Sequence, residues 1–363
     1  MLGRPRRLVI LAEGRFTPLD AKTAVGVLRY RPEEVAAVLD STRAGRTAHQ
    51  CVGTGGATPV VATLTEAATR GADTLMIGVA PQGGRLPAAW RDTVLEALGR
   101  GWDVVAGLHD FLADDPELAA AARTHGATLI DARRPPDRTP IATRRAAEVD
   151  ALVVLTVGSD CNVGKMTAAL ELTGALQRSG TRAAFVATGQ TGIFCADRGI
   201  AVDAVRADFV AGFTEEMVLA AAADADVVVV EGQGSLHHPG YSGVTLGLLH
   251  GACPTAMVFC HEAGRETVRR PGGLRDPGDP VIPPLPELVR VYELAAGWVH
   301  PARVVGVALN TLALEPAAAR EAVTRAARET GLPVCDPVRD DAALLADAVA
   351  AAARERRDHA SHT

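Results

Sequence analysis

The chain has 363 residues, 48% hydrophobic and 22% charged, enough for two buried cores of roughly 150 to 200 residues each. Its net charge of −6 and isoelectric point near 5.9 exclude the basic stripe that broad nucleic-acid binding needs to displace counterions. Leu8 to Ala12 is too short for a signal-peptide core, no apolar run reaches the ~18 residues of a spanning helix, and the six cysteines form no CxxC pair. The expectation is a cytoplasmic α/β protein with no membrane partner.

In chain order, Leu8 to Ala12, Val35 to Leu39, Thr74 to Val79, Asp103 to Gly107 and Thr128 to Ile130 read as strands. Pro59 to Thr69, Ala88 to Leu98 and Pro116 to His125 read as helices. This alternation predicts a parallel sheet covered on both faces. Polar residues fall just after the strands, where an open parallel sheet forms its binding crevice. Ala12 to Phe16, AEGRF, lacks the G-x-G-x-x-G of a dinucleotide site, so a nicotinamide cofactor is disfavoured. Arg133 to Arg145, rich in proline and arginine, reads as a linker, dividing a domain over 1–138 from a second over 139–363.

The second domain opens on the apolar run Leu152 to Val157 and then GSDCNVGKMT, Gly158 to Thr167. A strand, a glycine-bracketed loop and a lysine at a helix start make a phosphate cradle. Backbone N–H groups turn inward, the helix N-terminus adds about half a positive charge, and Lys165 adds a full one. Gly158, Asp160, Asn162, Val163, Gly164, Lys165, Met166 and Thr167 are therefore the candidate cofactor-binding residues. Five residues rather than four separate Gly158 from Gly164, and Met166 stands where the metal-binding hydroxyl of a strict P-loop would be. Thr167, one place on, is rotated by about 100° on a helix.

Strands are predicted at Ala183 to Ala187, Val227 to Val230, Ala256 to Phe259 and Val304 to Leu309, and helices at 165–177, 208–223, 242–249, 285–296, 317–330 and 342–353. Glu231 ends the Val227 strand where a P-loop protein needs an acid, making it a candidate Mg²⁺ ligand or base; Thr167 and Asp208 are the other candidate metal ligands, with helix capping an alternative for Asp208. Thr188 to Gly192 reads as a flexible polar loop in which Gln190 and Thr191 meet substrate. Beyond Glu231 lies SLHHPGYSGVTLGLLH, with Ser235, Tyr241 and Ser242 as candidate substrate contacts and His237 or His238 as general base; Ser242 also reads as a helix N-cap. His261 and Arg265 follow the next strand, the guanidinium suited to a carboxylate or phosphate. Asn310 ends the Val304 strand, where an amide can read a purine edge. Pro271 to Pro286 reads as a long surface loop and candidate lid.

GSDCNVGKMT, FVATGQTG, VEGQGSLHHPGYSGVTLGLLHG and VALNT, with LDSTRAG, GVAPQGGRLP and WRDTVLEALGRGWDVVAGLHDFL upstream, together resemble the D-glutamate N-acetyltransferase-like family, long catalogued as a domain of unknown function. The resemblance spans nearly the whole chain. It implies a Rossmann-like first domain, a P-loop second domain, and acylation of a small acidic D-amino acid by acetyl-CoA. The second domain is similar, more distantly, to dethiobiotin synthetase, which implies ATP with Mg²⁺, activation of a small carboxylate substrate, an adenine contact at Asn310 and a homo-oligomer. Met166 tips the choice toward acyl transfer, because losing the hydroxyl weakens MgATP without preventing the loop from holding a diphosphate.

Overall fold

The computed structural model describes residues 6–18, 20–79, 82–196, 198–269 and 278–360. The chain forms two compact units: one runs to Pro136 and takes in Gly189–Ala204, the other holds Asp137–Thr188 and the chain from Val205 onward.

In the first unit, β1 (Leu8–Leu11), β2 (Val35–Leu39), β3 (Val60–Val61), β4 (Thr74–Ile77), β5 (Asp103–Ala106) and β6 (Leu129–Asp131) form an all-parallel sheet of order β3-β2-β1-β4-β5-β6. This is the doubly wound, Rossmann-like order, in which crossovers leave β1 toward both edges. The connecting helices are α1 (Lys22–Tyr30), α2 (Ala48–Val52), α3 (Leu64–Ala68), α4 (Arg91–Gly99) and α5 (Pro116–His125). Helix α5 has the bounds its sequence announces: Asp115 accepts the Glu117 and Leu118 amides, Pro116 begins the helix, and Gly126 closes it at φ 68°. The single helix expected over Pro59 to Thr69 is instead β3 followed by α3. Val60 and Val61 pair with Val38 and Leu39, and Thr63 then caps α3 through Glu66 N–H. Helix α1 was not anticipated; its N-cap, Ala21, makes no side-chain bond that would mark the start.

The buried carboxylate of Asp40, just past β2, accepts amides from Gly14 and Phe16 in the loop after β1. That loop's amides therefore turn to a protein carboxylate, consistent with the missing dinucleotide fingerprint.

The second sheet has the order β12-β11-β10-β7-β9-β8 and is also all-parallel. Its members are β7 (Leu152–Gly158), β8 (Ala183–Val186), β9 (Val227–Val230), β10 (Ala256–Glu262), β11 (Arg303–Asn310) and β12 (Val334–Cys335). Around it run α6 (Lys165–Arg178), α8 (Val210–Ala222), α9 (Ser242–Ala252), α10 (Leu285–Gly297), α11 (Pro316–Thr330) and α12 (Ala343–Ala360). Valine-rich β7 and β9 are buried along their whole length, as central parallel strands must be. Helix α7 (Gln190–Ala196) follows β8 in sequence and belongs to the first unit. The polar loop expected over Thr188 to Gly192 is thus largely helical, because Ile193, Phe194 and Cys195 supply an apolar turn that is buried. No helix among the described residues is long and apolar enough to cross a membrane.

Candidate active site

β7 lies between β9 and β10, with crossovers leaving to both sides, so its carboxyl end is a switch point where a crevice opens. The register sets Gly158 beside Cys260 of β10 and Leu155 beside Val230 of β9. Three loops converge there: Ser159 to Gly164 after β7, Glu231 to Tyr241 after β9, and the turn after β10.

The phosphate loop turns through Asn162 at φ 56° and Gly164 at φ 106° straight into α6. The first turn of α6 carries neither a side-chain cap nor an acidic residue. Its orphan N–H groups therefore face the cradle as a ready anion site. Lys165 is buried, and its ammonium donates to the Asp160 carbonyl at 2.7 Å, bracing the loop across its own mouth. Burial lowers its pKa, against the pull of Cys161, Cys260 and Asp160. Met166 and Thr167 are half-buried on the same first turn.

Asp160 and Arg265, expected at the ligand face, are turned into the loop instead. Asp160 is fully buried and accepts from Cys161 N–H at 2.7 Å, Arg269 N–H at 2.9 Å and Arg265 Nη1 at 2.9 Å. Arg265 also donates to the Cys161 carbonyl at 2.6 Å and pairs with Glu262, which takes a further bond from Arg269. Both Nη groups of the guanidinium are thereby engaged in holding the phosphate loop, while Nε is buried without a partner among the described residues. His261 is likewise turned inward: its Nδ1 lies 2.8 Å from Ser159 Oγ, and burial, aided by Arg265, pushes its pKa down to about 4.

On the β9 side, Glu231 is buried, and its Oε2 accepts the Thr188 amide at 2.9 Å while its carbonyl accepts Thr188 Oγ1. Gly232 follows because nothing larger fits: a Cβ there would lie 1.7 Å from the Thr156 carbonyl and 3.2 Å from Lys165 Cδ. Ser235 Oγ sits 3.0 Å from His237 Nδ1. His238 is buried with its ring 4.5 Å from that of Tyr241. Tyr241 is the N-cap residue of α9 and Ser242 its first residue, so Ser242 is not the cap its position suggested. Asp208 is exposed in a single turn ahead of α8, whose N-cap is Phe209, so it neither caps that helix nor sits buried beside Glu231. Gln190 and Thr191 begin α7 in the first unit, where Gln190 accepts from Arg133 at 2.9 Å and Thr191 pairs with Thr23 at 3.1 Å.

Among the described residues, one group of three potential metal ligands comes together: Asp160, Cys161 and His238, with ligand atoms within 4.8 Å of one another. Its donors do not suit a cation, because the Asp160 carboxylate is already neutralised by Arg265 and burial keeps the Cys161 thiol protonated.

Across the crevice, Asn310 ends β11 and its Oδ1 accepts Leu312 N–H at 3.1 Å. Its Nδ2 lies 4.0 Å from where a Cβ on Gly164 would stand, so the amide borders the cradle. Sequence reasoning missed Tyr292 of α10, which is fully buried beneath the loop. It donates to the Gly158 carbonyl at 2.8 Å and accepts Leu236 N–H at 3.1 Å, tying the β7 and β9 loops together. Thr245 of α9 donates to the Gln233 carbonyl at 2.8 Å and shapes the same loop. A lone tyrosine in an amphipathic helix carries no signal for the first role. The start of the expected lid lies outside the described residues, while its end is pinned by a bridge between Thr267 and Val281.

Comparison with known proteins agrees with this architecture. Residues 140–346 match the P-loop domain of a domain of unknown function, DUF1611, and residues 41–135 match the Rossmann-like domain of the same family. A protein of Tritonibacter scottomollicae named D-glutamate N-acetyltransferase is 39% identical over 92% of this chain and 95% of its own length. A Pseudoalteromonas protein of the same name is 38% identical over 76% of this chain and 81% of its own. A crystal structure of a DUF1611 family protein from Anabaena variabilis superposes with a TM-score of 0.88 at 40% identity, covering 95% of this chain and 99% of that one. With both family domains present in order and relatives of near 40% identity aligned over nearly its whole length, the chain belongs to the DUF1611 family.

Proposed function

We propose that this chain is an N-acetyltransferase acting on D-glutamate, with acetyl-CoA as donor and the phosphate loop gripping the donor's diphosphate. The observation that carries the reading is the first turn of α6: uncapped, free of acidic side chains, fronted by Lys165, and with Met166 where a metal-binding hydroxyl would stand. Such a cradle suits a diphosphate held by N–H groups and an ammonium without a coordinated ion. The names of the Tritonibacter and Pseudoalteromonas relatives support acetyl transfer with D-glutamate as acceptor.

The N–H groups at the start of α6 and the Lys165 ammonium would hold the diphosphate, and the Asn310 amide would meet the adenine. Bound there, acetyl-CoA supplies an acetyl group activated as a thioester. For its part the chain must hold the amino group of D-glutamate close to that acetyl group, exclude water and accept a proton. The Glu231 carboxylate and the two histidines later in the same loop, His237 and His238, are groups beside the cradle able to accept it. Asp160 and Arg265 act by holding the loop in shape.

The test is a thiol-release assay with acetyl-CoA and a panel of D- and L-amino acids. D-glutamate should release coenzyme A and yield the N-acetylated product by mass spectrometry, with added chelator making no difference. ATP cleavage dependent on a carboxylate substrate and Mg²⁺, with no thiol release from acetyl-CoA, would overturn it.

A further inference from the structure

The two histidines after Glu231 are adjacent in sequence but are held by different hydrogen bonds. His238 Nδ1 accepts the backbone N–H of Gly240 at 3.0 Å. A backbone N–H can only donate, so Nδ1 must keep its lone pair, and the neutral ring must carry its proton on Nε2. Nε2 is buried and has no hydrogen-bond partner among the described residues. The residue is 5% exposed, its ring rests against Tyr241, and one of its ring nitrogens lies within 4.8 Å of an Asp160 carboxylate oxygen and the Cys161 sulfur in the phosphate loop. The result is a buried N–H donor beside the phosphate loop with no acceptor among the described residues. Protonating Nδ1, whether to make a cation or to free Nε2 as a base or metal ligand, would set it against the Gly240 N–H.

His237 has the opposite freedom. Its Nδ1 meets Ser235 Oγ, a hydroxyl able to accept as well as donate, whose own hydrogen can turn toward the Ser159 carbonyl at 3.5 Å. The ring can therefore hold its proton on Nδ1 and keep a lone pair on Nε2, which is also buried without a partner among the described residues. Burial lowers its pKa, outweighing Asp160 and the Ser159 carbonyl, which favour the imidazolium; a charge on neighbouring His238 would lower it further.

Resting on the acetyltransferase reading, we propose that the pair divides the reaction: His238 Nε2–H donates to the acetyl carbonyl oxygen as negative charge grows on it, and His237 Nε2 receives the proton of the amine. The bond from the amine nitrogen to the acetyl carbon forms, the carbon–sulfur bond breaks with its electron pair leaving on sulfur, and the amine's proton passes through His237 to that sulfur. A neutral imidazole aimed at the developing oxyanion needs no reorganisation as the charge appears.

Ring-¹⁵N-labelled protein, free of ligand, tests the assignment without reference to activity. In its neutral form the His238 ring should carry its proton on Nε2. A neutral ring protonated on Nδ1 would overturn the proposal. In kinetics, His238→Phe should lower kcat on the order of 100-fold, with little change in KM and the acidic limb of the pH profile kept. His238→Gln, which returns an N–H near the same place, should recover part of the rate. His237→Gln should abolish the acidic limb. Loss of that limb in the His238 variants instead would reverse the two roles. Absence of thiol release from the native protein, with the expected tautomer present, would overturn the acetyltransferase reading and the roles with it while leaving the donor geometry standing.

Discussion

Lys165 and Arg265 are both buried cations that bond to Asp160, one to its backbone carbonyl and one to its carboxylate, and they are held in different ways. The lysine leans on a carbonyl at 2.7 Å, a neutral acceptor from which an incoming phosphate can draw it. The arginine is locked into a carboxylate with both partners almost wholly buried. Lys165→Ala should therefore leave the fold intact and raise KM for acetyl-CoA by roughly 30-fold or more, the size of a charge-assisted hydrogen bond worth about 2 kcal/mol, measurable by steady-state kinetics. Arg265→Met should cost stability, by about 3 to 5 kcal/mol in denaturant unfolding, because it strands the Asp160 charge. Adding Asp160→Asn to Arg265→Met should restore part of that loss; a double variant less stable than the single one would contradict the pairing. The phosphate loop itself was legible in the sequence because its residues are neighbours in the chain. The inward turn of Arg265 was not, because its partner lies 105 positions away.

At the scale of elements, the site depends on how closely the β9 loop passes the β7 strand. Gly232 N–H donates to Thr156 Oγ1 at 2.9 Å, and a Cβ at residue 232 would drive into the Thr156 carbonyl. Gly232→Ala should therefore destabilise the protein by about 3 kcal/mol or abolish soluble expression, whereas Gly243→Ala, with open space around its Cβ position, should be nearly silent in thermal unfolding. Runs such as Val227 to Val230 disclose a buried strand from composition alone. The short β3 pair and the α7 turn do not, since two valines or one apolar turn acquire a structure only when a neighbouring strand or helix takes them up.

For the molecule as a whole, stability should depend on acidity through His261. Its pKa falls from an ordinary 6.5 to about 4 on folding, mainly through burial and also through Arg265. The unfolded chain therefore binds the extra proton between those values, and stability is full above about pH 6.5 and lost as pH falls toward 4, by about 3 kcal/mol at most. Denaturant titrations across that range should show the slope, and His261→Gln should flatten it. The two α/β units and the glycine–lysine loop can be read from the chain alone, because apolar runs and the glycine–lysine spacing act over a few residues. Which polar groups brace that loop depends on contacts that exist only once the strands have assembled. Tyr292 under Gly158, Thr188 on Glu231 and Arg265 on Asp160 join residues 134, 43 and 105 positions apart, and such meetings are fixed by the order in which strands assemble, not by any local pattern.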